Sequence, residues 1–230
     1  QVAQAIRATL DMCFIPVAPL GTGTHKDQDG FVLEHGEWTS WRVSRPFDDE
    51  KGARDWLIRV TQRILSEPLD KDKTRTIEHA QWDEIQAMIG ETVYMPFSHT
   101  GFCHAYDSMG LLLFSYFVEE WPDAFEEYLE ASVTKEEQRI DAVADPERCP
   151  VVLIAEDFAT KQGSIFNPSF LERYHFPYVR RICERWHHAG IKVIYHSDGN
   201  YKSLIPNLIA CGADGFYCLE PACGMDIVEL

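Results

Sequence analysis

The stretch "HSDGN" at residues 196–200 places an imidazole, His196, and a carboxylate, Asp198, two residues apart. It follows an apolar run at residues 191–195 that is typical of a buried strand, and a helical pattern begins at Lys202. Residues i and i+2 of an extended segment point to the same side, so these two side chains can share one ligand. Both are residue types that bind zinc. The structural alternative is that Asp198 caps the following helix and His196 donates to a backbone carbonyl.

Apolar runs and helical patterns alternate along the chain. Runs typical of strands lie at residues 13–18, 92–97, 151–155, 192–195 and 215–219. Between or after the later runs, helical patterns lie at residues 122–143, 170–189 and 202–211. Asn167 and Pro168 are predicted as the N-cap and first residue of the second of these helices. The alternation predicts an α/β fold with a parallel sheet.

Several predicted strands end in polar residues that can form one site. Ser98-His99, Glu156-Asp157 and Glu220 each follow an apolar run. No glycine-rich nucleotide loop follows any run, so the ring of polar strand ends favours a (β/α) barrel over an open doubly wound sheet. The alternative for the Glu156-Asp157 pair is an exposed loop without a role in a site. We predict that five side chains converge on one cavity at the barrel mouth: His99, Tyr106, Asp157, His196 and Glu220.

Composition limits the classes of partner. The chain has 230 residues, of which 45% are hydrophobic, and a formal net charge of -16, so nucleic acid and anionic membranes are poor partners. No apolar run approaches the ~20 residues of a membrane helix. Seven cysteines without regular pairing suit a reducing, cytoplasmic compartment. We therefore expect a small-molecule substrate and a single domain over residues 1–230, with a hairpin insertion at residues 25–46.

Two segments carry a family resemblance. Residues 156–200 read "EDFATKQGSIFNPSFLERYHFPYVRRICERWHHAGIKVIYHSDGN", and residues 204–230 read "LIPNLIACGADGFYCLEPACGMDIVEL". Both are similar to the uroporphyrinogen decarboxylase superfamily, and residues 92–131 resemble it more weakly. The resemblance implies a (β/α)8 TIM barrel, which usually needs about 250 residues. Because five barrel strands are apparent, we interpret the chain as an incomplete barrel, whose exposed sheet edges favour a homodimer.

Within the superfamily, the chain most resembles the corrinoid-related methyltransferase branch. That branch has His-x-Cys at the strand end where this chain has His196-Ser197-Asp198, and its more distant relatives place a glutamate 22 residues further on. Glu220 lies 22 residues beyond Asp198, since 220 − 198 = 22. The resemblance implies zinc bound by His196, Asp198 and Glu220, with a corrinoid carried by a partner protein. The implied reaction moves a methyl group between a small methylated substrate and a corrinoid protein or thiol.

Two alternatives stay open. The decarboxylase branch has an arginine-rich segment and an acid after its first barrel strand that have no counterpart here, although Tyr106 and Gly110 match its Tyr-x-x-x-Gly. The other alternative is a non-catalytic barrel that binds a small molecule. We expect catalytic roles for Asp157, Tyr106 and Glu156. We expect substrate contacts at His99, His104 and Asn200, and buried thiols without metal at Cys211, Cys218 and Cys223.

Overall fold

The computed structural model describes residues 2–13, 21–37, 39–228 and 230. The helices are α1 (Val2–Thr9), α2 (Glu50–Ser66), α3 (Lys71–Ile89), α4 (Phe102–Met109), α5 (Leu111–Glu120), α6 (Pro122–Val143), α7 (Pro168–Tyr174), α8 (Phe176–His188) and α9 (Ile205–Cys211). Short 3-10 turns lie at Lys202–Leu204 and Pro221–Cys223. The strands are β1 (Met12–Cys13), β2 (Gly23–Lys26), β3 (Val32–His35), β4 (Ser40–Ser44), β5 (Val93–Tyr94), β6 (Phe97–Ser98), β7 (Val151–Ala155), β8 (Ala159–Thr160), β9 (Gly163–Ser164), β10 (Lys192–His196) and β11 (Gly215–Tyr217).

A parallel sheet is the centre of the fold, which is mixed α/β as predicted. Its spatial order is β11, β10, β7, β6, and β1 pairs in parallel with β5. The predicted neighbour order of these strands is therefore confirmed. In register, His196 lies opposite Ala155 on β7 and Tyr217 on β11. The strands form no closed barrel over the described part of the chain.

The predicted strand at residues 92–97 is split into β5 and β6. Pro96 separates the two pieces and cannot donate a backbone hydrogen bond. Before it, the Met95 amide donates to the Cys13 carbonyl, and the Pro96 carbonyl accepts from Leu153 on β7. The segment therefore bonds to one neighbour before the proline and to the other neighbour after it. Residues 14–18 of the predicted first strand lie outside the described residues.

Both faces of β7 are buried, which explains its unbroken apolar sequence. Val152 and Ile154 join the main core with the helices, whereas Val151 and Leu153 pack with Met95 in a smaller cluster. The long helix α6 lies against α2, α3 and α8 and has the bounds that its periodicity predicts. None of the described helices combines the length and apolar character that a membrane span requires.

The predicted helix at residues 170–189 is instead two helices, α7 and α8. Asn167 is the N-cap, as predicted, and its Oδ1 accepts from the Ser169 amide at 3.0 Å. The break falls at His175, because Pro177 at the start of α8 has no amide to continue the helix of α7. The predicted helix at residues 202–211 also begins differently, as a 3-10 turn before α9.

The predicted hairpin region contains an antiparallel sheet of three strands, β2, β3 and β4. The pairing of β3 with β4 around Gly36 is the expected hairpin, and β2 adds a strand on its other side. Phe31 precedes β3 and Phe47 follows β4, and each ring packs against Trp56 of α2 with ring centroids 5.5 Å apart. These aromatic contacts join the antiparallel sheet to the main core.

Candidate functional site

His196 is the last residue of β10, and two carboxylates flank its ring. Its Nε2 lies 3.7 Å from Asp198 Oδ1, and its Nδ1 lies 3.4 Å from Asp157 Oδ1. The ring stacks on Tyr217 of β11, with centroids 5.5 Å apart. Nδ1 is buried and has no hydrogen-bond partner among the described residues. The bond to a backbone carbonyl that the structural alternative requires is therefore absent at Nδ1 within the described part of the chain, and the ligand role of His196 stays a prediction.

Asp198 does not cap the following helix. The 3-10 turn at Lys202–Leu204 has no side-chain cap at Tyr201, and the Lys202 amide donates to Asn200 Oδ1 at 3.3 Å. Asn200 therefore supports this turn, and its Nδ2 lies close to Gly224. The Asp198 side chain stays exposed and faces His196. The capping explanation for Asp198 is thus contradicted.

The turn that contains Asp198 is fixed by bonds to the segment after β7. The Phe158 amide donates to Ser197 Oγ at 3.1 Å, and the Asp198 amide donates to Asp157 Oδ1 at 2.9 Å. Gly199 has φ +77°, and a Cβ there would lie 2.7 Å from the carbonyl oxygens of residues 159 and 160. Only glycine fits this close approach without strain. The backbone therefore holds Asp198 beside the strand end.

Cys218, which the sequence argument treats as a buried thiol, is the third member of the cluster. Ligand atoms of His196, Asp198 and Cys218 all lie within 4.8 Å of one another. Cys218 follows β11 and has φ +64°. No other non-glycine residue in the described part of the chain has a positive φ. Such a backbone conformation costs about 1–3 kcal/mol and is found preferentially at functional sites. We name these three residues the HDC cluster.

The charges around Cys218 are negative. Burial, together with Asp198, Asp157 and Glu220, raises the pKa of the Cys218 thiol to about 12. The His196 imidazole and the Asp198 amide, by contrast, lower the pKa of Asp157. The site therefore contains an ionised Asp157 carboxylate near a protonated thiol. A divalent cation matches this environment, because it stabilises the carboxylates and can displace the thiol proton.

Glu220, the third metal ligand expected from the resemblance, lies outside the HDC cluster. Its Oε2 accepts from the Cys223 thiol at 2.9 Å. The last residue of β11, Tyr217, is level with His196, and the chain leaves the sheet there, so the next residue, Cys218, turns toward the cluster. The pairing of His196 with Tyr217 could have indicated this ligand, because the residue after Tyr217 carries a thiol. The expectation from the spacing of 22 residues overlooks the shortness of β11.

Glu156 is buried and serves the backbone of the loop before α4. Its Oε1 accepts from the Thr100 amide and hydroxyl, both at 2.7 Å, and its Oε2 accepts from the Cys103 amide at 3.0 Å. The carboxylate also lies at the N-terminus of α4, where negative charge is favourable. With both oxygens occupied, Glu156 acts as an anchor in this structure. The predicted catalytic role of Glu156 stays a prediction.

Tyr106 lies on α4 among aromatic rings. Its ring centroid is 5.9 Å from that of Phe114 and 5.3 Å from that of Phe166. Burial, assisted by the charges of Asp107 and Asp157, raises the pKa of its hydroxyl. Tyr106 is therefore a neutral hydroxyl near Asp157 at neutral pH.

A cavity of about 580 Å³ lies between α2, α6 and the loop after β6, and we name it the α2–α6 cavity. His99 and His104, two predicted substrate contacts, line it together with Glu156. Tyr106, Asp157, His196 and Glu220 are not among its lining residues, so the five predicted side chains do not converge on this cavity. Ala155 lines the cavity and pairs with His196, so the cavity and the HDC cluster adjoin across one strand.

A buried pair beneath the site was not anticipated from the sequence. His175 is fully buried, and its Nε2 lies 2.8 Å from the Tyr195 hydroxyl. Burial lowers the pKa of His175 to about 4, so its ring is neutral at neutral pH. The aromatic residues around it, including Phe158 at 4.3 Å between centroids, exclude water from this pair. The pair supports β10 one residue before His196.

Comparison with known proteins adds no assignment: no protein-family model matches the chain, and no curated protein matches it. The geometry of the HDC cluster and of the α2–α6 cavity is therefore the basis for the function considered next.

Proposed function

We propose that this chain is a zinc-dependent methyltransferase built on a (β/α)8 barrel of the uroporphyrinogen decarboxylase type. The observation that carries the proposal is the HDC cluster, in which an imidazole, a carboxylate and a thiol meet beyond the ends of two adjacent parallel strands. The parallel neighbour order of β6, β7, β10 and β11 supports the barrel. Strand ends of this kind are where barrel enzymes carry their active sites.

The donor atoms of the HDC cluster fit zinc better than harder cations. Zinc binds imidazole nitrogen, carboxylate oxygen and thiolate sulfur, whereas magnesium and calcium take oxygen ligands. Three protein ligands leave a fourth position for substrate, as in catalytic zinc sites. A zinc ion held there would act as a Lewis acid toward a methyl-bearing oxygen or a thiol. The methyltransferase branch has a cysteine at the position of Asp198. In this proposal Cys218 supplies the sulfur ligand that this cysteine supplies there.

Asp157 has a positioning role in this proposal. Its Oδ1 lies 3.4 Å from His196 Nδ1, on the side of the ring opposite the Asp198 contact. A carboxylate on the second nitrogen of a metal-binding histidine fixes the orientation of the ring and raises its basicity. Because its pKa is lowered, Asp157 is ionised at neutral pH and suits a proton acceptor rather than a proton donor.

The decarboxylase alternative is less well supported by the charges of the α2–α6 cavity. A polycarboxylate substrate needs arginines that are free to bind it, as the decarboxylase branch uses. Arg63 is instead paired with Asp29, at 2.6 and 2.9 Å, and Arg139 is paired with Glu136 and Glu78. We therefore retain methyl transfer, with a corrinoid protein or a thiol as the second reactant. A cytoplasmic location remains part of the proposal, and Cys103, Cys149, Cys183, Cys211, Cys218 and Cys223 are free thiols.

Metal analysis of the purified protein tests the proposal directly. We expect about one zinc per chain after expression in zinc-replete medium, because three protein ligands suffice for a catalytic zinc site. The variants His196→Ala and Cys218→Ser should lose it. Glu220→Gln and Cys223→Ser are matched controls outside the HDC cluster and should retain zinc. Loss of zinc in Glu220→Gln with retention in Cys218→Ser would restore the ligand set expected from the resemblance, and no zinc in the wild type would refute the metal site.

Turnover separates an enzyme from a non-catalytic binding protein. The assay follows an isotopically labelled methyl group from a methoxylated substrate to added cobalamin in the reduced Co(I) state, detected by mass spectrometry. We expect transfer with the zinc-loaded wild type and none with His196→Ala. Zinc binding without transfer to either cobalamin or a thiol acceptor would leave the non-catalytic alternative in place.

A further inference from the structure

The α2–α6 cavity has the size and wall of a small-molecule site. Its volume of about 580 Å³ falls within the range of ligand pockets in proteins. Val60, Ile64 and Leu69 give it an apolar side. The residues on its opposite side belong to α6 and to the segments that follow β6 and β7. A ligand in this cavity would contact both an apolar wall and polar groups.

The carboxylates and guanidinium groups of the wall are already satisfied by one another or by the backbone. Glu136 accepts from Ser98 at 2.5 Å and from Arg139 at 2.7 Å. Glu156 accepts its three bonds from the loop before α4. Arg63 and Arg139 bond to carboxylates, as described above. These four side chains have little capacity left for a ligand.

The groups that remain are mainly hydrogen-bond donors. The Lys135 ammonium donates to the Glu67 carbonyl and forms no ion pair with any described carboxylate. Ser132 is buried and its hydroxyl is closed to solvent, so this hydroxyl is not available to a ligand. An ammonium has three donors and no acceptor, so it needs an acceptor-rich partner. The imidazoles of His99 and His104 also line the cavity.

We propose that the α2–α6 cavity binds a small organic carboxylate. The Lys135 ammonium donates to its carboxylate group, and its apolar body lies against Val60, Ile64 and Leu69. Bonds between an ammonium and a carboxylate are charge-assisted and stronger than neutral hydrogen bonds. The apolar wall contributes affinity in proportion to the surface that the ligand buries.

The cavity adjoins the HDC cluster, which gives the ligand a place in the proposed reaction. Ala155 lines the cavity and is the register partner of His196. Cys103 also lines it, and its Sγ lies 3.9 Å from the Asp157 carbonyl oxygen. The bound carboxylate would then be the methylated substrate. That identification rests on the proposed function, whereas the binding of the carboxylate does not.

Calorimetric titration of the whole chain, with metal removed by a chelator, tests the binding. The probes are 3-phenylpropionate and its neutral analogue 3-phenylpropionamide, which differ in charge but hardly in shape. We expect the carboxylate to bind at least about tenfold more tightly than the amide, since a charge-assisted bond contributes more than a neutral one. Equal affinities for the two probes, or no binding of the carboxylate, would overturn the proposal.

Variants locate the binding within the cavity. Lys135→Met should weaken carboxylate binding by about tenfold or more, because it removes the charged donor. Lys73→Met removes an exposed lysine of α3 and is the matched control. If Lys135→Met fails to fold, as judged by circular dichroism, Lys135→Gln replaces it. Wild-type affinity in a folded Lys135 variant would refute the assigned site.

The metal site and the cavity can fail separately. Cys218→Ser disrupts the HDC cluster but does not line the cavity, so it should bind 3-phenylpropionate with wild-type affinity. Carboxylate binding in a protein that holds no zinc supports the cavity and refutes the proposed function alone. Zinc binding and methyl transfer without carboxylate binding refutes the cavity alone.

Discussion

Acidification should destabilise the protein through His175, a buried histidine without a charged partner in contact. The folded protein holds its ring neutral, because burial lowers the pKa from 6.5 to about 4. The unfolded chain takes up the proton at higher pH, so acid favours the unfolded chain. The stability that the neutral His175 contributes is fully present above pH 6.5 and is lost as the pH falls toward about 4. The difference between the two pKa values corresponds to about 3 kcal/mol of free energy of unfolding. Between about pH 7 and about pH 5 the loss amounts to about 2 kcal/mol.

Urea unfolding followed by tryptophan fluorescence measures this loss, provided that the transition is two-state. The reference is His175→Gln, which keeps a hydrogen-bonding side chain beside Tyr195 but does not titrate. Lowered carboxyl pKa values, as at Asp157, affect wild type and variant equally. We expect the wild type to lose about 2 kcal/mol more than the variant between about pH 7 and about pH 5. Parallel stability curves for the two proteins would refute the assignment of a neutral, buried His175.

Three further predictions concern the candidate site and its supports. Because zinc must displace the Cys218 proton, the zinc affinity should rise about tenfold per pH unit between about pH 7 and about pH 8. Competition with a chromophoric chelator measures this affinity, and the rise should be absent in Cys218→Ala. Gly199→Ala should lower the free energy of unfolding by about 2 kcal/mol or more, because the new Cβ would lie 2.7 Å from two carbonyl oxygens. The control Gly21→Ala, whose Cβ would have no atom within 4 Å, should be close to neutral, and equal effects of the two variants in thermal unfolding would contradict the packing described. Glu156→Gln should lower the free energy of unfolding in urea by about 2 kcal/mol, because the glutamine amide nitrogen must face a backbone donor. The control Glu147→Gln, at an exposed residue, should change this free energy by less than about 0.5 kcal/mol, and a Glu156→Gln variant of wild-type stability would show that the loop before α4 does not depend on this carboxylate.

The centre of the sheet could be predicted from the sequence because its signals are local. The run that became β7 is apolar on both faces, the run that became β10 carries the apolar residues Val193, Ile194 and Tyr195, and helices of suitable length separate the two runs. Their parallel neighbour order then follows from short connections. The strand at residues 92–97 was less accessible, because its division depends on two neighbours that are distant in sequence, β1 and β7. Hydrophobic periodicity indicates the apolar run but not which strand each half of the run pairs with.

The break between α7 and α8 shows a different limit. Pro177 fits the apolar spacing of a single helix, so the hydrophobic pattern continues across the break. Its missing amide and its ring end the preceding helix, and that information lies in the backbone rather than in hydrophobicity. The result places His175 at the junction, buried against Tyr195.

The candidate site was predicted in part. The i, i+2 spacing brings His196 and Asp198 together, as the sequence indicates, and their separation is 3.7 Å between Nε2 and Oδ1. Cys218 was missed because its position depends on where β11 ends and on a left-handed backbone conformation, which no residue pattern specifies. The α2–α6 cavity was missed because α2 and α6 are far apart in the sequence and meet only through tertiary packing.

The position of Cys218 also has a consequence for its reactivity. Oxidants and alkylating reagents attack the thiolate, and burial, together with three nearby carboxylates, raises the thiol pKa and keeps this sulfur protonated at neutral pH. Without a cation, Cys218 is therefore poorly nucleophilic and resists conversion to sulfenic acid. A bound divalent cation reverses the balance of charge and stabilises the thiolate. The same surroundings thus protect the sulfur while the site is empty of metal and make its nucleophilicity conditional on metal binding.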